Sequence, residues 1–335
     1  MKHRRPSVLA LAAALVACAA WTQPQDAKGL KDRKGAVRID GSSTVYPISE
    51  AVAEEFSKAA PGVKVTVGMS GTGGGFKRFG AGETDISNAS RAIKKSEAEA
   101  CKAKGIEFIE LPIAFDGLTL VTNRANTWAK QLTVEQVKRI FSADGSARAW
   151  KDLDPSWPAD PIKVYSPGTD SGTFDYFREV VVGKDGKIRP DISVSEDDNV
   201  LVRGVEGDKN AIGFFGFAYY LENKAKLNAL AVVSPATGQA VLPSHDTIER
   251  GTYAPFSRPL FIYVSKGSLE NPAVAAFARF ALDRGPELAE EVGYVKMPVA
   301  LYDRARANLA SRKAGTQMTD DSGRERTGPL SETYR

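Results

Sequence analysis

The chain has 335 residues, 42% hydrophobic and 26% charged, with 45 Lys and Arg against 41 Asp and Glu. That is the composition of a soluble globular protein long enough for two lobes of ordinary domain size. Two cysteines and two histidines leave no material for a disulfide framework or for a His/Cys-rich metal site.

The N-terminus carries Lys2, Arg4 and Arg5 and then an apolar run from Val8 to Ala17, too short to span a bilayer. Residues 1–17 are therefore expected to be an export signal. Leu15-Val16-Ala17-Cys18 has the pattern of a bacterial lipobox, in which Cys18 becomes the lipidated N-terminus; ordinary cleavage after Ala19 or Ala20 also fits the small residues there. Loss of residues 1–17 removes three positive charges and lowers the net charge from +4 to +1. The basic pI then gives no electrostatic support for a nucleic-acid partner. Residues 18–35 are polar and punctuated by Pro and Gly, as a tether would be.

The body alternates short β-like runs with helical periods. Val37-Arg38-Ile39 reads as a strand, followed by a helix with Pro47 in its first turn and Ile48, Val52 and Phe56 four apart on one face. Lys64 to Val67 is the next strand, then a glycine loop, then a helix beginning near Gly74. Ile106 to Ile109 and Leu118 to Thr122 read as two strands, and Cys101 as a half-buried helix residue. Thr133 and Gln136 form a capping box ahead of Val137, Ile140 and Phe141. Lys163 to Tyr165 and Leu260 to Val264 are strands; Phe174 to Val181 and residues 272–283 are helices. Residues 311–335 are polar and are expected to form a loosely held tail. This alternation predicts an α/β protein with mostly parallel sheets.

One chemical unit recurs three times: a strand, a Ser/Thr/Gly loop, a helix. The loops are Gly41-Ser42-Ser43-Thr44, Ser70-Gly71-Thr72-Gly73 and Gly168-Thr169-Asp170-Ser171-Gly172-Thr173. Each would set hydroxyls and free N–H groups at a helix N-terminus, where the macrodipole favours an anion. A single such loop is as readily an N-cap or a turn; three of one kind, in an α/β protein, point to a ligand. A nucleotide loop is excluded, because Lys77 follows Phe76 and precedes Arg78 where a Gly-Lys-Ser/Thr ending is needed, and the dinucleotide glycine spacing also fails. A serine hydrolase would have to pair Ser171 with His245, which is expected in a surface turn. Arg91 is the candidate to balance the charge of an oxyanion, since a guanidinium matches two of its oxygens. Protonated phosphate also offers an O–H donor, so a buried carboxylate would accept phosphate and repel sulfate. Asp170, equally readable as an N-cap, is the leading acceptor and Asp116 the second.

Residues 40–56 (DGSSTVYPISEAVAEEF), 68–93 (GMSGTGGGFKRFGAGETDISNASRAI), 167–183 (PGTDSGTFDYFREVVVG) and 195–220 (SEDDNVLVRGVEGDKNAIGFFGFAYY) together resemble the phosphate-binding proteins of the bacterial phosphate ABC transporter, the PstS family. The likeness runs from about residue 36 to 310 with the motifs in order. It implies a two-lobe class II periplasmic binding-protein fold with two hinge crossovers: lobe 1 from 36–120 plus 256–310, lobe 2 from 121–255. It implies phosphate contacts from Ser43, Thr44, Ser70, Ser90, Arg91, Ser171, Gly172 and Thr173. Some members have Ala-Ser-Asp where this chain has Ala89-Ser90-Arg91, and an arginine where it has Pro167-Gly168, so the charged groups are redistributed. The implied function is extracytoplasmic capture of inorganic phosphate for a permease and its ATPase, by a monomer without catalysis, cofactor or metal, held to the membrane at Cys18 or soluble in the periplasm. Another oxyanion or a phosphonate, and a serine phosphatase or esterase using Ser171, are the alternatives.

Overall fold

The computed structural model describes residues 27–169, 171–183, 185–195, 197–320, 326 and 328–335. The signal segment, Cys18 and Asp170 lie outside the described residues.

In the first part of the chain, helix α1 (Ala27–Lys31) precedes β1 (Gly35–Gly41), α2 (Tyr46–Ala59), β2 (Val63–Val67), α3 (Gly71–Gly80), β3 (Ile86–Ala89), α4 (Lys95–Ala103) and β4 (Phe108–Asn123). The middle part holds β5 (Gln131–Thr133), α5 (Val134–Phe141), β6 (Lys163–Pro167), α6 (Gly172–Val182), β7 (Ser193–Ser195) and α7 (Asp198–Gly207). It continues with β8 (Ala211–Gly216), α8 (Phe217–Asn223), β9 (Leu227–Ala229), β10 (Ala231–Val233), β11 (Ala240–Val241) and α9 (His245–Glu249). Last come β12 (Ser257–Ser265), α10 (Pro272–Glu291), α11 (Val299–Ala310) and α12 (Leu330–Thr333).

The main sheet runs β2-β1-β3-β12-β4-β8-β6-β7, with β9 also on β4; β11-β10-β5 form a small second sheet. β1 pairs parallel with β2 and β3, and β6 pairs parallel with β7 and β8. Between these parallel halves stand β4 and β12, antiparallel to their neighbours. The two strands expected at 106–109 and 118–122 are one sixteen-residue strand, β4, buried along its whole length. Its first ten residues pair with β12 and its last six run beside β8 and β9. Asp116 and Gly117 interrupt the apolar pattern there, which is why the sequence reads as two runs.

The helices follow their apolar spacing. In α2, Pro47 lies in the first turn, and Ile48, Val52 and Phe56 turn inward. Phe56 meets the rings of Phe277 and Phe280 edge-on, both at 5.3 Å; burying such a side chain stabilises the fold by roughly 1.5–3 kcal/mol. Thr133 caps α5 reciprocally with Gln136, as its spacing requires. Helix α3 starts at Gly71, earlier than expected. Its glycines disfavour a helix by about 1 kcal/mol each relative to alanine, so tertiary packing must hold it. Phe76 and Phe79 supply that packing, and a Cβ on Gly75 would lie 2.5 Å from the Cα of Gly41. Cys101 is fully rather than half buried.

The loosely held tail is not what the described residues show. Gly315 bridges to Ile109, Thr316 and Gln317 bind the carboxylate of Glu110, and Met318, Leu330 and Tyr334 are buried. Polar composition concealed a segment that spends its three large apolar side chains, Met318, Leu330 and Tyr334, on the core.

Candidate functional site

A cleft of about 750 Å³ opens where the β1–α2 turn, the first turn of α3, the turn after β3, one face of α6 and the start of β12 meet. Ser43, Thr44, Thr72, Ser90 and Arg91 line one side; Asp175, Tyr176, Arg178 and Glu179 line another. Arg258 and Pro255 bring in the chain entering β12, and Met318 comes from the C-terminal segment.

Two of the three Ser/Thr/Gly loops are in direct contact. A Cβ on Gly172 would fall 2.7 Å from the Cα of Thr44, so only glycine lets the start of α6 abut the β1–α2 turn. Thr44 donates its hydroxyl to the Gly172 carbonyl at 3.4 Å, and Ser43 donates to Asp175 at 3.3 Å. Ser171 accepts from the N–H groups of Thr173 and Phe174 and so caps α6. Ser171, Gly172 and Thr173 thus stand at the junction, and the cleft wall on α6 begins at Asp175.

The glycine loop contributes by a different residue from the one expected. Ser70 turns its hydroxyl to Asp40 at 3.0 Å, away from the cleft. Asp40 is 2% exposed, and a buried carboxylate must be satisfied; Ser70, Arg78 and the Gly41 N–H do this. Thr72 faces the cleft instead. Its Oγ1 lies 3.1 Å from the Ser90 hydroxyl and accepts the Ser90 N–H at 3.2 Å.

Three arginines line the cleft: Arg178, 3.4 Å from Asp175 on its own helix, and Arg91 and Arg258. Arg91 makes a bidentate pair with Glu97, both bonds 2.8 Å, and its guanidinium sits 5.7 Å from the Phe76 ring centre. Burial pushes Glu97 up, but Arg91 and the Lys94 N–H outweigh it and hold the carboxyl below its ordinary value. Arg258 was not foreseen. It stacks on Tyr176 at 3.6 Å, donates from Nη2 to Thr44 Oγ1 at 2.9 Å and from Nε to Asp116 at 3.3 Å. Asp116 is 2% exposed; burial pushes its pKa up and Arg258 pulls it back. Its carboxylate therefore serves the arginine and does not line the cleft. A charged residue between Phe256 and the apolar run Leu260–Val264 was the available signal for Arg258. Nothing in local sequence tied it to Thr44, 214 positions away.

Among the described residues no hydrogen bond joins Ser171 to His245. Ser171 is a helix cap, and His245 starts the short helix α9 with its ring edge-on to Phe217.

Comparison with known proteins places the chain in a family. The family model of the PBP superfamily domain fits residues 23–284. Protein SphX of Synechococcus elongatus is 51% identical over 87% of this chain and 86% of its own length. The phosphate-binding protein PstS of Staphylococcus saprophyticus is 41% identical over 88% of this chain and 89% of its own. The chain belongs to the PstS phosphate-binding family. Within that family, the crystal structure of a possible phosphate-binding protein from Planctomyces limnophilus superposes with a TM-score of 0.81. It is 47% identical, covering 84% of this chain and 99% of that one. The mixed α/β architecture is that of the PBP superfamily.

Proposed function

We propose that this protein captures inorganic phosphate outside the cytoplasmic membrane and delivers it to the permease and ATPase of a phosphate importer. The observation that carries the reading is the convergence of Ser43, Thr44, Thr72 and Ser90 with two guanidiniums, Arg91 and Arg258, on one cleft. Hydroxyls at helix starts replace the hydration of a compact anion, and the positive ends of the helices favour its charge. The names of the relatives in Staphylococcus and Planctomyces support the same ligand class.

The lobes we propose are 36–120 plus 256–310 and 121–255, with β4 and β12 as the crossing strands. Asp175 is the carboxylate we assign to the O–H of protonated phosphate, because it lines the cleft beside Ser43 while Asp116 is committed to Arg258. The protein works as a binding protein, without turnover, and is exported by residues 1–17, with Cys18 as the lipid anchor.

Calorimetric titration of the mature chain tests this. Phosphate is expected to bind 1:1 with submillimolar or tighter affinity, and sulfate far more weakly. Absence of heat with phosphate, or equal binding of sulfate or phosphite, would count against the assignment. Hydrolysis of p-nitrophenyl phosphate that Ser171→Ala abolishes would replace it with the enzyme reading.

A further inference from the structure

The turn that carries Ser90 and Arg91 is braced from behind by groups far away in the chain. The N–H of Ile93, two residues after Arg91, is donated to the hydroxyl of Tyr263 at 2.9 Å. That hydroxyl donates in turn to Glu110 Oε2 at 2.7 Å. The Tyr263 ring also meets Phe76 edge-on at 4.9 Å, and Phe76 is the ring beneath the Arg91 guanidinium. Tyr263 therefore supports the arginine turn both by a hydrogen bond and through an aromatic contact.

Glu110 is 1% exposed, and among the described residues its carboxylate is held by neutral donors. Its burial pushes the carboxyl up, while donors around it pull the other way. Besides Tyr263, these donors come from the C-terminal segment: the Thr316 hydroxyl at 2.7 Å on Oε2 and the Gln317 N–H at 2.7 Å on Oε1. Tyr334 adds its hydroxyl to the Glu110 carbonyl at 2.9 Å. The next residue of the segment, Met318, lines the cleft alongside Arg91.

We infer that the C-terminal segment is a strap belonging to the anion site, and that Glu110 and Tyr263 are positioning residues through which it holds the Ser90–Arg91 turn in its binding geometry. This rests on the phosphate reading above. A turn anchored only by its own backbone would sample other orientations, and fixing it beforehand removes that cost from binding. A buried carboxylate is suited to the role because three donors converge on two oxygens, which fixes their relative positions.

Titration of inorganic phosphate into full-length mature Tyr263→Phe, with the melting temperature of the ligand-free protein recorded alongside, tests the inference. Phosphate affinity is expected to fall roughly tenfold, the equivalent of one hydrogen bond. The loss should shrink when the same substitution is made in an Arg91→Ala background, because both act through one turn. Thr316→Val, which leaves the Tyr263 hydroxyl in place, should weaken phosphate in the same direction and to a smaller extent. It also serves if Tyr263→Phe does not fold. A lower melting temperature with unchanged phosphate affinity in these variants would reduce the network to structural support and overturn the inference alone. A wild-type protein that binds no phosphate would overturn the underlying reading and the inference with it.

Discussion

Two of the three arginines that line the cleft, Arg91 and Arg258, occupy contrasting places. Arg91 sits on a short turn after β3, about one-third exposed at its side chain, and is paired with Glu97 only six residues on. Arg258 is on β12, 15% exposed at its side chain, paired with Asp116 from β4 and bonded to Thr44 of the β1–α2 turn. One is held by local sequence, the other by three separate elements. A guanidinium stacked on a ring and fixed at two nitrogens loses little freedom when an anion arrives. It also lies where β4 passes from one half of the sheet to the other, so its orientation is tied to the geometry of that crossing.

If this contrast is correct, Arg258→Ala should do the greatest damage. It leaves Asp116 buried without its cation, a loss on the order of 3–5 kcal/mol in stability, and it should abolish measurable phosphate binding. Thermal unfolding and calorimetry report the two effects separately. Wild-type affinity in this variant would break the comparison and return the anion to Arg91. Arg91→Ala comes next: phosphate affinity should fall by about 1–2 kcal/mol, the range for one charge-assisted contact on a partly exposed group. Its melting temperature should change little, since the pair with Glu97 is partly solvated. The smallest effect on phosphate itself is expected from Asp175→Asn, which keeps a hydrogen-bonding group beside Ser43 and removes the charge. Its signature is a narrower gap between phosphate and sulfate affinities in competition titrations; an unchanged gap would remove Asp175 from the acceptor role.

Much of the site was legible because it is built from local patterns. Ser43, Thr44, Ser90 and Arg91 lie in turns next to strand and helix ends, and those ends are announced by Pro47, by apolar spacing and by the glycines. Ser70 shows the limit of that logic. It has the residue type and the position of a ligand, yet the buried Asp40 claims its hydroxyl, leaving the cleft to Thr72 two residues later. The C-terminal segment misled for a related reason. Its composition is that of a solvated tail, but Thr316 and Gln317 answer the needs of a carboxylate more than 200 positions earlier.

By itself, then, the sequence determined the α/β class, the three strand–loop–helix units and the family, because each depends on short-range spacing or on motifs that keep their order along the chain. Tertiary structure alone decided that Thr72 and not Ser70 meets the cleft, joined two apparent strands into β4, brought Arg258 and Asp116 together and strapped the C-terminus behind Arg91. The physical reason is the same in each case. A buried charge or hydroxyl must find a partner wherever the fold brings one within reach, and that partner's place in the chain follows no local rule.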